Sequence, residues 1–183
     1  MCPSTAAADW LLIPFVGGSF APETTFLIPE KGAGQKLTLG GSVALLSDGV
    51  LGLEADVGHT PGFFQGDDPL GLVLSSRVTT VSGSVILAVP LSITRESLRP
   101  YVVGGVGLLQ TRSRHAGAAI PVEEDLLGAI VGAGAIGMVT FQTGLRFDVR
   151  YIKAASGAAG PFAQPGLSRL SFWRASAGLV LRY

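Results

Sequence analysis

Residues 144–151 read GLRFDVRY. Arg146, Asp148 and Arg150 alternate with Leu145, Phe147, Val149 and Tyr151, the period of an extended strand whose two faces differ. One face is charged and the other bulky and apolar. The fold turns on which of them meets water. A soluble barrel hides its greasy face inside, and a barrel in lipid turns that face out.

Composition narrows the choice. The chain has 183 residues, a size that favours one domain, with 13 basic and 13 acidic side chains. That balance provides no electrostatic case for nucleic acid or an acidic substrate. Charged residues make up only 14 % of the chain, against about 25 % in an ordinary soluble domain, glycine occurs 26 times, and the mean hydropathy is positive. Greasiness of this degree suggests membrane helices, but no apolar run approaches the roughly 18 residues a helical span needs. The longest candidate, AIVGAGAIGMV at 129–139, is short and rich in glycine, a poor residue for a helix interior. A soluble all-β protein or a membrane β-barrel remains.

The alternation of residues 144–151 recurs along the chain. Leu37, Leu39, Val43 and Leu45 oppose Lys36, Thr38, Gly40, Ser42 and Ala44. Leu51, Leu53, Ala55 and Val57 oppose Gly52, Glu54, Asp56 and Gly58. Val81, Val85, Leu87 and Val89 oppose Thr80, Ser82, Ser84 and Ala88. At the C-terminal end Trp173, Ala175, Ala177, Leu179, Leu181 and Tyr183 oppose Arg174, Ser176, Gly178 and Arg182. Such segments predict eight strands, at 10–20, 35–46, 50–60, 77–90, 100–111, 125–139, 144–154 and 168–183. Connections at 47–49 and 141–143 are tight turns, and the one at 91–98 is of moderate length. Those at 21–34, 62–76, 112–124 and 155–167 are longer and rich in glycine, proline and charge.

An even number of strands about ten residues long, with short turns at one end and long loops at the other, predicts an all-β fold. The expected architecture is an eight-stranded antiparallel up-and-down transmembrane β-barrel. Closure leaves no sheet edge unpaired in hydrocarbon. The lumen of such a barrel is narrow and suits the glycine, serine and charged parity, so the aliphatic parity is expected to face lipid. A soluble exterior built mainly of glycine, serine and alanine would be a poor one; a soluble lipocalin-like carrier is the less favoured reading. Residues 10–183 are assigned to the barrel and residues 1–9 to a processing remnant or flexible end. Ala6 and Ala8 stand in the relation of a signal-peptidase site, without the charged and apolar regions of a signal peptide. Lipidation of Cys2 would need an upstream signal that these residues do not contain.

With the strands in place, DWLLIPFVGGSF (9–20), LGLEADVGHTPGFF (51–64), RPYVVGGVGLL (99–109), GLRFDVRYIKA (144–154) and the terminal WRASAGLVLRY (173–183) resemble the small outer-membrane β-barrel family. The likeness is to OmpA/OmpX-like barrels, and it spans nearly the whole chain. The resemblance implies the bacterial outer membrane, lipid as the surrounding partner, and a C-terminal strand read by the barrel-assembly machinery through Leu179, Leu181 and Tyr183. Members of that family range from structural anchors to adhesins, narrow pores and a few enzymes.

The inward parity gathers Glu54, Asp56, Arg146, Asp148, Arg150 and Arg174, with Lys36 and Arg182 nearer the ends. Buried charges persist when paired and hydrogen-bonded, so these are expected to form a salt-bridge network across the lumen. The alternative is a selectivity ring in a narrow pore for small solutes or ions. Trp10, Phe15, Tyr101, Phe147, Tyr151, Trp173 and Tyr183 are read as outward aromatics, of which Trp10, Tyr101, Tyr151 and Trp173 are the interfacial set. Phe26, Phe63 and Phe64 fall in long loops and are read as loop packing.

Other chemistry is weak. Gly132, Gly134 and Gly137 spell G-x-G-x-x-G, but an alternating strand follows where a dinucleotide site needs a helix. His59 and His115 lack neighbours at metal-ligand spacing. His59 shares neither face with Glu54 nor with Asp56, which argues against a hydrolase. The sequence reading is a non-enzymatic, monomeric membrane barrel with no catalytic residues, no cofactor, no metal and no nucleic-acid partner.

Overall fold

The computed structural model describes residues 8–23, 36–62, 73–94, 98–115, 122–154 and 171–183. The strands are β1 (Ala8–Glu23), β2 (Lys36–Ser47), β3 (Leu51–Pro61), β4 (Val73–Ala88), β5 (Arg99–His115), β6 (Val122–Met138), β7 (Thr143–Ala154) and β8 (Ser171–Arg182), with one short helix, α1 (Leu91–Thr94), between β4 and β5. Each strand pairs antiparallel with the next, and β8 returns to β1, closing the barrel. Closure satisfies the backbone of every wall strand.

The start of β1 and the end of β8 lie together at the short-turn end, where Ala8 is opposite Ser47 and the Tyr183 amide donates to the Trp10 carbonyl at 3.0 Å. β1 begins at Ala8, so Ala8 and Asp9 belong to the wall and not to the flexible end expected for residues 1–9; Asp9 forms an ion pair with Arg182. Residues 1–7, including Cys2, lie outside the described residues, as do Phe26, Phe63 and Phe64.

The short connections are held locally. Ser47 Oγ donates to the Leu51 carbonyl at 2.8 Å across the β2–β3 turn. Between β6 and β7 the Val139 and Thr140 amides both donate to the Thr143 carbonyl, and the Thr143 amide donates back to Thr140 Oγ1 at 3.0 Å, the side-chain turn that threonine favours. Pro14 sits mid-strand in β1, facing out, at a point where the ladder to β8 skips from Leu12 to Phe15 because proline brings no N–H.

The faces are inside-out relative to a soluble barrel. Leu39, Leu53, Val57, Val85, Val106, Val131, Phe147 and Leu179 are exposed on the outer wall, while Glu54, Asp56, Arg146, Asp148, Arg150 and Arg174 are buried within it. The glycines of the G-x-G-x-x-G run lie inside β6. A Cβ on Gly132 would come within 2.9 Å of the Arg150 side chain, and one on Gly134 would collide with the Tyr101 hydroxyl. At Gly132 and Gly134 the absent side chain makes room for the lumen's contents.

Candidate functional site: a charge layer between two apolar layers

The inward side chains form three layers along the barrel axis. Nearest the short turns, Leu11, Ile13, Leu46, Ile86, Val103, Ile136 and Val180 pack into one buried apolar cluster. Nearest the long loops, Val78, Leu109, Leu126, Ile130, Ile152 and Phe172 form a second. The charges lie between them. This corrects the expectation of an inner face made only of small and charged residues. Eight strands enclose a lumen that side chains must fill, and at both ends aliphatic groups fill it.

Strands β3 and β7 stand on opposite sides of the eight-stranded ring, so the arginines of β7 cross the lumen to reach the acids of β3. Arg146 grips Glu54 with both terminal nitrogens, at 2.9 and 3.0 Å. Its Nη2 also lies 3.0 Å from Asp148 Oδ2, and its Nε donates to Tyr101 Oη at 2.6 Å. Arg150 reaches Glu54 at 2.9 Å, Asp148 at 3.1 Å and, more loosely, Asp56 at 3.7 Å. Arg174 from β8 binds Asp56 at 2.9 Å, with its guanidinium 4.9 Å from the centre of the Phe15 ring. Ser176 donates to Asp148 Oδ1 at 2.7 Å. Three arginines meet three carboxylates, so the layer is neutral as a whole. The two-point contact between Arg146 and Glu54 is the strongest geometry available to such a pair.

Two aromatic assignments are corrected. Tyr101, expected at the membrane interface, is 4 % exposed and points into the lumen, donating to Asp148 at 3.2 Å and accepting from Arg146. Phe15, expected outside, lies under Arg174. Both strands are apolar on both faces at these positions, LLIPF in β1 and YVV in β5, so alternation carries no sign there. Trp10 and Trp173 are exposed on the outer wall, and Tyr151 lies half-buried beside Trp173 with ring centres 5.1 Å apart. Tyr183 is 81 % exposed, and Leu179 and Leu181 line the outer side of β8.

Sequence reasoning missed Tyr101, Phe15, Ser42 and Ser176 as members of the charge layer. A weak signal exists for Tyr101, because it shares its parity with Gly105 and Gly107, the small residues typical of an inner face. A hydroxyl chain was missed as well. Ser19, Thr38 and Thr60 are buried and linked at 2.9 and 2.8 Å above the charges on the β1–β3 side. His59 faces outward and contacts Thr79 at 3.0 Å, on the opposite side of the wall from Glu54 and Asp56. The His115 side chain lies outside the described residues. The gap bordered by Ile13, Phe15, Ser42, Arg146, Asp148, Ser176 and Gly178 is too small to admit a water molecule.

No protein-family model and no curated protein matches the chain. Solved structures do. Neisserial surface protein A superposes with a TM-score of 0.64 at 12 % identity, over 96 % of this chain and 97 % of that one. The outer membrane protein OprG from Pseudomonas aeruginosa gives 0.60 at 13 % identity, over 97 % of both chains. Ail, the attachment invasion locus protein of Yersinia pestis, gives 0.58 at 11 % identity, over 98 % of this chain and all of that one. The chain therefore has the fold of the small eight-stranded barrels of bacterial outer membranes, of the OmpA/OmpX-like kind.

Proposed function

We propose that the protein is an integral barrel of the bacterial outer membrane that works without enzymatic chemistry, as a structural or surface-interaction protein with a charge-sealed lumen. The observation that carries this reading is the reversal of faces. Leu53 is 60 % exposed while its neighbour Glu54 is 4 % exposed, and the same contrast runs around the whole wall. An aliphatic exterior over a neutralised ionic interior is stable only when hydrocarbon is the outer solvent.

The dimensions support the same reading. From Trp10 to Phe20, or from Trp173 to Tyr183, is ten residue steps, which at the usual rise and strand tilt span about 25 Å, the height of an outer-membrane apolar band. Outer-membrane lipid is then the partner of the wall. Leu179, Leu181 and Tyr183 at the end of β8 form the signal for the barrel-assembly machinery, and the barrel acts as a monomer. The long-loop end carries any surface interaction.

A narrow pore is the competing reading. Against it stand the apolar layer at the turn end, the arginines that cross the lumen, and the absence of room for water beside Arg146. Planar-bilayer recordings of the purified barrel are expected to show no channel events at any voltage. Discrete events that change on Glu54→Ala or Arg146→Ala would replace the sealed reading with the pore.

A further inference from the structure

The charge layer is not equally satisfied along the barrel axis. In its turn-side half the charged groups are saturated: every side-chain nitrogen of Arg146 and both oxygens of Glu54 have partners, as do both oxygens of Asp148, and among the described residues only the neutral Ser84 hydroxyl, opposite Glu54, is buried there without one. Its loop-side half is not. Arg150 Nε and Nη1, Arg174 Nε and Nη1, Asp56 Oδ2 and Ser82 Oγ are buried without a hydrogen-bond partner. Leaving so many polar groups dry costs about 1–3 kcal/mol each, more for charged ones. These groups lie together: Arg150 and Arg174 share Asp56, and Ser82 is opposite Asp56 on the neighbouring strand.

The two ends of the lumen differ in the same sense. The turn end is closed by apolar side chains from β1, β2, β4, β5, β6 and β8, and Arg99 staples its mouth, donating from Nη2 to the Ser47 carbonyl at 2.7 Å and to the Gly49 carbonyl, and from Nε to the Val89 carbonyl at 2.9 Å. At the loop end, among the described residues, only the β4–β8 side is apolar. The β1–β4 side carries the hydroxyls of Ser19, Thr38, Thr60 and Thr80. That hydroxyl lane descends directly to Arg174, whose Nη1 lies 2.6 Å from where a Cβ on Gly58 would sit.

The geometry points to a dead-end aqueous vestibule. Water enters from the loop side along the Ser19–Thr38–Thr60–Thr80 lane, binds the open donors of Arg150 and Arg174, Asp56 Oδ2 and the Ser82 hydroxyl, and stops at the saturated Arg146–Glu54 pair. Buried water of this kind needs two to four polar partners, which these side chains supply. The excess of donors makes the vestibule a site for small hydrogen-bond acceptors. The inference rests on the transmembrane placement proposed above.

Cysteine accessibility in intact cells tests it. In a Cys2→Ser background, single variants are exposed to 2-sulfonatoethyl methanethiosulfonate, a small anionic reagent that does not cross membranes, added from outside and then to opened cells. Folding of each variant is checked by heat-modifiable gel migration. Ser82→Cys and Thr60→Cys are expected to react from outside at least about tenfold faster than Ala44→Cys or Val103→Cys, which lie among the turn-end aliphatics and stay closed from both sides. Thr80→Cys stands in if Ser82→Cys does not fold. Unreactive Ser82 and Thr80 variants would overturn the vestibule. Reaction of Ala44→Cys from outside would overturn its dead end. Leu53→Cys, on the outer wall, separates the two proposals: it is protected in a membrane barrel, and its rapid labelling would sink the transmembrane placement itself.

Discussion

At the scale of single residues, Glu54 is the junction of the charge layer, taking Arg146 on both oxygens and Arg150 on one. Glu54→Gln leaves two buried guanidinium groups undercompensated and is expected to lower stability by about 3–5 kcal/mol, read as a shift in the urea unfolding midpoint of the barrel in lipid vesicles. Tyr101→Phe removes one hydroxyl that serves Arg146 and Asp148 together, and the expected loss is smaller, about 1–3 kcal/mol by the same measurement. If Tyr101 instead lay at the lipid interface, Phe would replace it with almost no cost. Gly134→Val drives a side chain into the Tyr101 hydroxyl and the Phe147 carbonyl, and overpacking of this kind costs roughly 1–3 kcal/mol. Gly83→Val, on the outer wall where a Cβ would meet nothing within 4 Å, is the matched control and is expected to keep its unfolding midpoint.

At the scale of the strand, the two parities of β3 make opposite predictions. Leu53→Arg puts a charge on the outer wall near the middle of the apolar band and is expected to cost about 2–4 kcal/mol in lipid vesicles, falling away toward the strand ends. The strands whose alternation included charge were legible without coordinates: in β3 and β7 every second residue from 52 to 60 and from 144 to 154 is buried, in the phase that Glu54 and Arg146 announce. Where both faces were apolar, in β1 and β5, the period was present but its sign was not. Tyr101 and Phe15 were misplaced for that reason. In β8, removal of Tyr183 is expected to lower the amount of folded barrel in the outer membrane while leaving refolding into detergent unchanged, because the residue is 81 % exposed and makes no part of the core. Equal loss in both assays would return Tyr183 to an ordinary strand end.

At the scale of the molecule, heat-modifiable migration together with bilayers that show no conductance is the expected signature of a closed barrel with a sealed interior. The sequence by itself determined the strand count, the alternation of short and long connections and the inside-out assignment of faces, because period, turn chemistry and side-chain size are local properties that survive in one dimension. Which acid meets which arginine was decided only by tertiary structure. Glu54 and Arg146 are 92 positions apart in the chain, and their meeting depends on β3 and β7 facing each other across the closed ring. The layered filling of the lumen was likewise invisible in sequence. An aliphatic side chain reads the same whether it faces lipid or plugs a barrel, and only closure, which fixes the register of all eight strands at once, gathers Leu11, Ile86 and Val180 beneath the charges and Leu109 and Phe172 above them.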